Sequence, residues 1–211
     1  MLQQTGRRRK YSDSPSPTKL SYEQFLAWAS EDTRAEWVNG VVVVMSPVSD
    51  EHNQLGLFLL RVLSEYVEAQ DAGVLRYESF QMKTGPTLPG RNPDILFVAK
   101  ANLARLKSNH LEGPADLVVE IISPESEERD RKEKFAEYEQ GGVREYWLLD
   151  PERKEAEFYQ RDLEGKFQRV SSDDDGIYHS RVVSGLWINV GWLWQRPLPT
   201  LSAVRKAWGL A

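Results

Sequence analysis

Three short stretches carry residues whose types and spacing suit one kind of chemistry. Asp94 follows a proline in "RNPDILFV", Glu120 stands inside the apolar run "DLVVEIIS", and Lys132 and Lys134 follow in "ERDRKEKFAEY". Glu120 is set among Leu117, Val118, Val119, Ile121 and Ile122, so both alternating faces of the run are apolar and it reads as a strand covered on both sides. A carboxylate buried there without a partner is costly, so the site must supply a proton, a cation or a metal ion. Asp94 at the edge of one strand and Glu120 from the interior of its neighbour would offer hard oxygen ligands, which suit magnesium or manganese better than zinc. A lysine from the following helix could then orient a water or steady a phosphate, the division of labour of metal-assisted phosphodiester hydrolysis. Each residue also has a plainer reading. Asp94 is then a turn aspartate, Glu120 a buried partner of an arginine such as Arg91, and Lys134 an i,i+4 partner of Asp130 on a solvated helix.

The elements that must position these residues can be read along the chain. Ser21 and Gln24 form a capping box at the start of a short helix. "AEWVNGVVVVMSP" gives two strands about an Asn39-Gly40 turn, closed by Pro47. From Ser49, apolar Leu55, Phe58, Leu59, Val62, Leu63 and Tyr66 recur at three- and four-residue steps and predict a long amphipathic helix that ends near Asp71 to Gly73. "VLRYESFQMKT" reads as a strand, "DILFVA" as another with Asp94 at its mouth, and "NLARLKSNHLEGPA" as a helical piece and a loop. After the Glu120 strand, "ESEERDRKEKFAEYEQGG" is a helix stopped by Gly141 and Gly142. Strands recur in "VREYWLLD", "EAEFYQRD" and "GKFQRVS". Trp187, Trp192, Trp194 and Trp208 then mark a tail that should pack on the body or on a second subunit. No internal repeat appears, and residues 21–211 read as a single mixed α/β domain with one central sheet, preceded by a flexible basic and Ser/Pro-rich arm over residues 1–20.

Composition narrows the classes of function. No stretch approaches the roughly 20 unbroken apolar residues of a membrane helix, and the start lacks the apolar core of a signal peptide. With no cysteine in the sequence, thiolate metal sites and cysteine nucleophiles are excluded, which fits a cytoplasmic location. A net charge of −5 argues against nonspecific coating of nucleic acid. The densest positive cluster, Arg7 to Lys10, reads as a solvated tail.

Taken in order, "EWVNG", "PDI", "GPADLVVEIISP", the Asp130, Lys134, Tyr138 spacing and "GVREYWLLDP" resemble the Uma-two family of restriction-type endonucleases, placed in the PD-(D/E)XK nuclease superfamily. The resemblance runs from about Ser21 to the tryptophan-rich end. It implies a restriction-endonuclease-like core, a central mixed sheet flanked by helices, in which Asp94 and Glu120 bind a divalent metal (Mg2+ or Mn2+) and the backbone carbonyl of Ile121 adds a ligand. The superfamily pattern places a lysine two residues after the acid, where this chain has Ile122. In the Uma-like pattern the lysine has moved to the next helix and matches Lys134. Glu36 matches the glutamate of the opening motif and could face the metal, although a surface strand glutamate accounts for it equally well. His52, at the head of the long helix, could serve as a general base or support the ligands from behind, and Gln81 could present a polar side chain.

The leading expectation is a magnesium-dependent endonuclease that hydrolyses DNA phosphodiester bonds through Asp94, Glu120 and Lys134. A homodimer would suit cleavage of both strands. The acidic net charge and the missing lysine at position 122 motivate an alternative, a non-catalytic nuclease fold kept for dimerisation or partner binding. A glycosidase pair of carboxylates fits poorly with one strand acid followed by a helix lysine.

Overall fold

The computed structural model describes residues 19–30 and 33–210, so Arg7 to Lys10 and the remainder of the arm through residue 18 lie outside the described residues. Helix α1 (Tyr22–Trp28) opens with the expected capping box: the Ser21 hydroxyl accepts from the Gln24 N–H at 3.2 Å, and the Gln24 side chain accepts from the Ser21 N–H at 2.8 Å. Strands β1 (Ala35–Val38) and β2 (Val41–Val44) form the hairpin. Asn39 and Gly40 both take positive φ, 52° and 92°, as a tight turn with right-twisting arms requires. Helix α2 (Asp50–Ala69) is capped by Ser49 and buries Leu55, Phe58, Leu59, Val62, Leu63 and Tyr66, the stripe set by their spacing.

The segment expected to be one strand, "VLRYESFQMKT", is two: β3 (Gly73–Tyr77) and β4 (Gln81–Lys83), which belong to different sheets. Then come β5 (Gly90–Arg91), β6 (Ile95–Ala99), a 3-10 turn over Lys100–Arg105, β7 (His110–Glu112) and β8 (Leu117–Ile121). A π-helical turn, Arg129–Lys134, leads into α3 (Phe135–Gly141), which ends at Gly142 with φ 91°. The chain continues through β9 (Glu145–Asp150), β10 (Glu155–Arg161), β11 (Phe167–Val170), β12 (Ile177–His179), β13 (Trp187–Asn189), a 3-10 turn over Val190–Trp194, and α4 (Leu201–Trp208).

In place of the single central sheet expected, the strands form a six-stranded sheet ordered β11-β10-β9-β8-β6-β3, a five-stranded sheet ordered β2-β1-β5-β4-β7, and a β12-β13 ribbon. Both larger sheets are mixed: β8 runs parallel to β9 and antiparallel to β6, and β4 runs parallel to β7. All five residues of β8 are buried, which explains its β-branched and unrelieved apolar character. One face, Leu117, Val119 and Ile121, packs with Leu55, Leu59 and Val62 of α2 in a core that Leu193 and Val204 of the C-terminal segment complete. The other face carries Val118 and Ile122, in a second core with Met82, Leu111, Tyr138 and Tyr146. Strict alternation along the strand puts Glu120 on this second face, beneath the π-turn and α3. Among the described residues no helix is long and apolar enough to cross a membrane.

Candidate functional site

Glu120 is 3% exposed, and both of its carboxylate oxygens are engaged. The Tyr138 hydroxyl donates to Oε1 at 2.8 Å, and the Lys134 ammonium lies 2.9 Å from Oε2. Burial, together with the negative charges of Asp130 and Asp94, pushes the Glu120 carboxyl well above its ordinary pKa, against the opposing pull of Lys134. Lys134 is itself buried and stands among three carboxylates, Glu120 at 2.9 Å, Asp130 at 3.1 Å and Glu36 at 3.5 Å. Burial disfavours its charge, yet those carboxylates outweigh burial and hold its pKa above the usual lysine value, so the ammonium stays charged. Burial, reinforced by Glu120, also keeps the Tyr138 phenol protonated as a donor.

The π-helical turn is what brings Asp130 and Lys134 to this place. Tyr146 fastens the turn from below by donating its hydroxyl to the Asp130 carbonyl at 3.1 Å. Local widening of a helix of this kind is common at functional sites because it re-aims side chains within one turn. Asp130 is buried, and although Lys134 is near enough for an ionic contact, its Oδ1 has no hydrogen-bond partner.

Asp94 enters from the start of β6. Its Oδ2 accepts from the Ile121 N–H at 2.6 Å, and its Oδ1 lies 3.1 Å from His52 Nε2. The Ser49 cap fixes the first turn of α2 and thereby His52. Burial opposes a charged imidazole, but Asp94 more than offsets it, so the His52 pKa is raised. The other ring nitrogen, Nδ1, is buried without a partner.

Asp94, Glu120, Ile121, Asp130, Lys134 and His52 line one open cleft of about 480 Å³. Glu36 does not line it: fully buried on β1, it stands behind Lys134, where Arg91 holds it at 2.9 Å and the Asn92 N–H at 3.2 Å. Burial raises the pKa of Glu36, but Lys134 and Arg91 outweigh it, so the net shift is downward. It is therefore a counter-charge to the lysine rather than a surface strand glutamate. Arg91 turns to Glu36, to Glu137 with two bonds of 2.7 Å and to Glu133, and not to Glu120. The i,i+4 pair of Lys134 with Asp130 exists, but it is buried rather than solvated. Lys132 points to solvent and pairs with Glu128. Gln81 braces the loop beneath the site through Ala35 and Asn92. From the sequence, Asp130 has no role beyond that of an i,i+4 partner of Lys134, and Tyr138 has none. Their only signal was the spacing Asp130, Lys134, Tyr138, which places all three on one helical face.

The donor set fits a small divalent cation. Each oxygen of Asp94 and Glu120 has one protein partner and so keeps acceptor capacity. Lys134 faces three carboxylates, those of Glu120, Asp130 and Glu36, Arg91 is shared between Glu36 and two further glutamates, and Asp94 has His52, so the site carries surplus negative charge. Among the described residues no three His, Asp or Glu side chains are grouped to hold a metal by themselves. A magnesium-sized ion does not need such a cage, since it is typically held by one or two carboxylates and keeps several waters.

The sequence profile of the family Uma2, described as "Putative restriction endonuclease", matches residues 22–191. No curated protein matches the sequence. Among solved structures, a putative nuclease belonging to DUF820 from Anabaena variabilis superposes with a TM-score of 0.68 at 16% identity, covering 83% of this chain and 97% of that one. At that identity the likeness is one of fold, and it identifies the two sheets and their helices as a restriction-endonuclease-like core.

Proposed function

The chain belongs to the Uma2 family of restriction-type endonucleases, and from that premise we propose that it is a divalent-metal-dependent endonuclease that hydrolyses DNA phosphodiester bonds. The observation that carries the reading is the meeting of Glu120, Asp94 and Lys134 in one cleft, with the lysine supplied by the helix after the acid strand. Asp94 and Glu120 would hold magnesium or manganese, with the Ile121 carbonyl as a further ligand. When bound, such an ion would polarise a phosphoryl oxygen and make water a better nucleophile at neutral pH.

The chain's own residues divide the remaining work. Tyr138 and the Ile121 N–H fix the two carboxylates in orientation. His52 steadies Asp94 from the α2 side. Lys134, kept cationic by its neighbours, would stabilise negative charge developing on the scissile phosphate. Glu36 acts through Lys134 rather than on substrate, with Arg91 behind it. Two copies acting on opposite strands belong to this reading on chemical grounds only, because the tryptophan-rich tail packs on its own body.

The test is nicking of supercoiled plasmid with magnesium and then manganese, for the wild type, Glu120→Ala and Lys134→Ala, each checked for folding. Metal-dependent nicking lost in both variants is expected. A folded wild type that cleaves neither plasmid nor single strands, and takes up no metal by calorimetry, would instead favour the non-catalytic nuclease fold.

A further inference from the structure

We propose that Lys134 is the built-in counter-ion of the cleft, that a divalent cation competes with it for Glu120, and that Asp130 is the positioning residue that retains the lysine when Glu120 changes partner. The proposal rests on the metal-dependent reading above. It starts from a conflict in the geometry: the group best placed to meet a phosphate is occupied. Lys134 is 2% exposed, and its ammonium is spent on Glu120, Asp130 and Glu36. The oxygen of Glu120 that holds it, Oε2, belongs to a carboxylate that would also serve a cation, so the two positive charges contend for one carboxylate.

Asp130 makes the exchange possible without expelling the lysine into solvent. It projects from the same π-turn four residues earlier, lines the cleft, and keeps Oδ1 free of hydrogen bonds, with the ammonium 3.1 Å away. Tyr146 pins the backbone of that turn, so the carboxylate is a fixed perch. Glu36 provides the third contact from behind, itself tied to Arg91. With Glu120 turned to a cation, Lys134 keeps two carboxylates and gains freedom toward the cleft. Tyr138 remains on Oε1 throughout, which limits the rearrangement to one oxygen of one side chain.

The competition can be measured without turnover, using calcium as the probe. Lys134 is the one buried lysine among the described residues, so in the wild type its ammonium should give the lysine side-chain resonance most protected from exchange with water. Calcium is expected to shift or broaden that resonance at the concentrations at which calorimetry shows binding. Removing the competing charge by Lys134→Met should tighten calcium binding by tenfold or more, since a unit charge a few ångströms away is worth at least that at an effective dielectric of about 20. Asp130→Asn should weaken calcium binding, because it removes a negative charge and leaves the lysine more dependent on Glu120. Calcium binding with an unmoved ammonium resonance overturns the proposal. So does a folded Lys134→Met that binds calcium no tighter than the wild type. If that variant does not fold, the wild-type resonance alone decides. Absence of calcium, magnesium and manganese binding to the folded wild type overturns the metal-dependent reading itself, and this proposal with it.

Discussion

Glu145 and Glu120 are both buried glutamates on adjacent strands, and they differ in what satisfies them. Glu145 accepts from the Trp147 indole, the Tyr178 and Ser180 hydroxyls and the Arg181 and Val182 N–H groups, at 2.7 to 3.1 Å, and needs no cation. Glu120 has one phenol and a lysine shared with two other carboxylates. The apolar run around Glu120 made its burial legible in the sequence, and the order of Asp94, Glu120 and Lys134 made the cleft legible. The inward turn of Glu36 and the destination of Arg91 were not legible, because β1 and β5 are far apart in the chain and become neighbours only by pairing in the folded sheet. The uneven charge count has a consequence for stability. Lys134→Met leaves three buried carboxylates facing one another and is expected to cost about 3 to 5 kcal/mol, the usual result of stripping a buried charge of its partner. Glu120→Gln leaves the lysine with Asp130 and Glu36 and relieves surplus negative charge, so it should be neutral or stabilising within about 1 kcal/mol. Urea denaturation of the two variants checks the asymmetry, and equal losses would mean that Glu120 is the lysine's sole effective partner.

The elements themselves show where local pattern suffices. Capping at Ser21 and Ser49, the Asn39-Gly40 turn and the stripe of α2 all lie within a few residues of their causes, and each forms as its sequence requires. The division of "VLRYESFQMKT" between two sheets is marked only faintly: no proline or glycine interrupts the run, and its one trace is a single-residue slip of the alternation at Glu78-Ser79, where the apolar positions pass from Leu75 and Tyr77 to Phe80 and Met82. The choice is made by partners, β6 for the first half and β5 with β7 for the second. A second tie between elements far apart in sequence joins α3 to β11: the Glu139 carboxylate accepts from the Phe167 N–H at 2.7 Å and from Lys166 at 2.9 Å. Partial burial of this carboxylate would raise its pKa, but the bonds to Lys166 and Phe167 prevail and hold it below the ordinary value. The folded pKa is then below the unfolded one. The tie's contribution is present above the unfolded pKa, roughly 4.3, and is lost as pH falls through the lower folded value. Glu139→Gln should therefore cost about 1 kcal/mol at neutral pH, and the gap from wild type should close toward pH 3. Denaturation at several pH values tests this, and a cost that persists unchanged in acid would assign the effect to packing.

At the scale of the whole molecule the C-terminal segment behaves as part of the body. The Trp208 indole donates to the Trp187 carbonyl at 2.8 Å and meets the Tyr66 ring edge-on at 5.1 Å, which fastens α4 to α2 across 142 residues of chain. Trp208→Ala is expected to lower stability by about 2 kcal/mol, somewhat less than for a fully buried tryptophan, and to leave the molar mass in light scattering unchanged. A change in mass would make the tail an interface between copies. Charge governs the remaining large-scale property. The chain carries a net −5, and its cleft concentrates surplus carboxylates where the proposed function would bring a phosphate. Binders that rely on direct phosphate contact carry a basic excess and release counterions, and this cleft has the opposite sign. On the proposed metal-dependent reading, attraction is then supplied by a divalent ion seated between the acids and the phosphate. DNA binding, followed by fluorescence anisotropy with calcium to prevent turnover, should appear only with the divalent ion, and Glu120→Ala should abolish that dependence. Equal affinity in calcium and in chelator would place the DNA contact on a basic surface away from the cleft, and the acids would then lose their part in substrate capture.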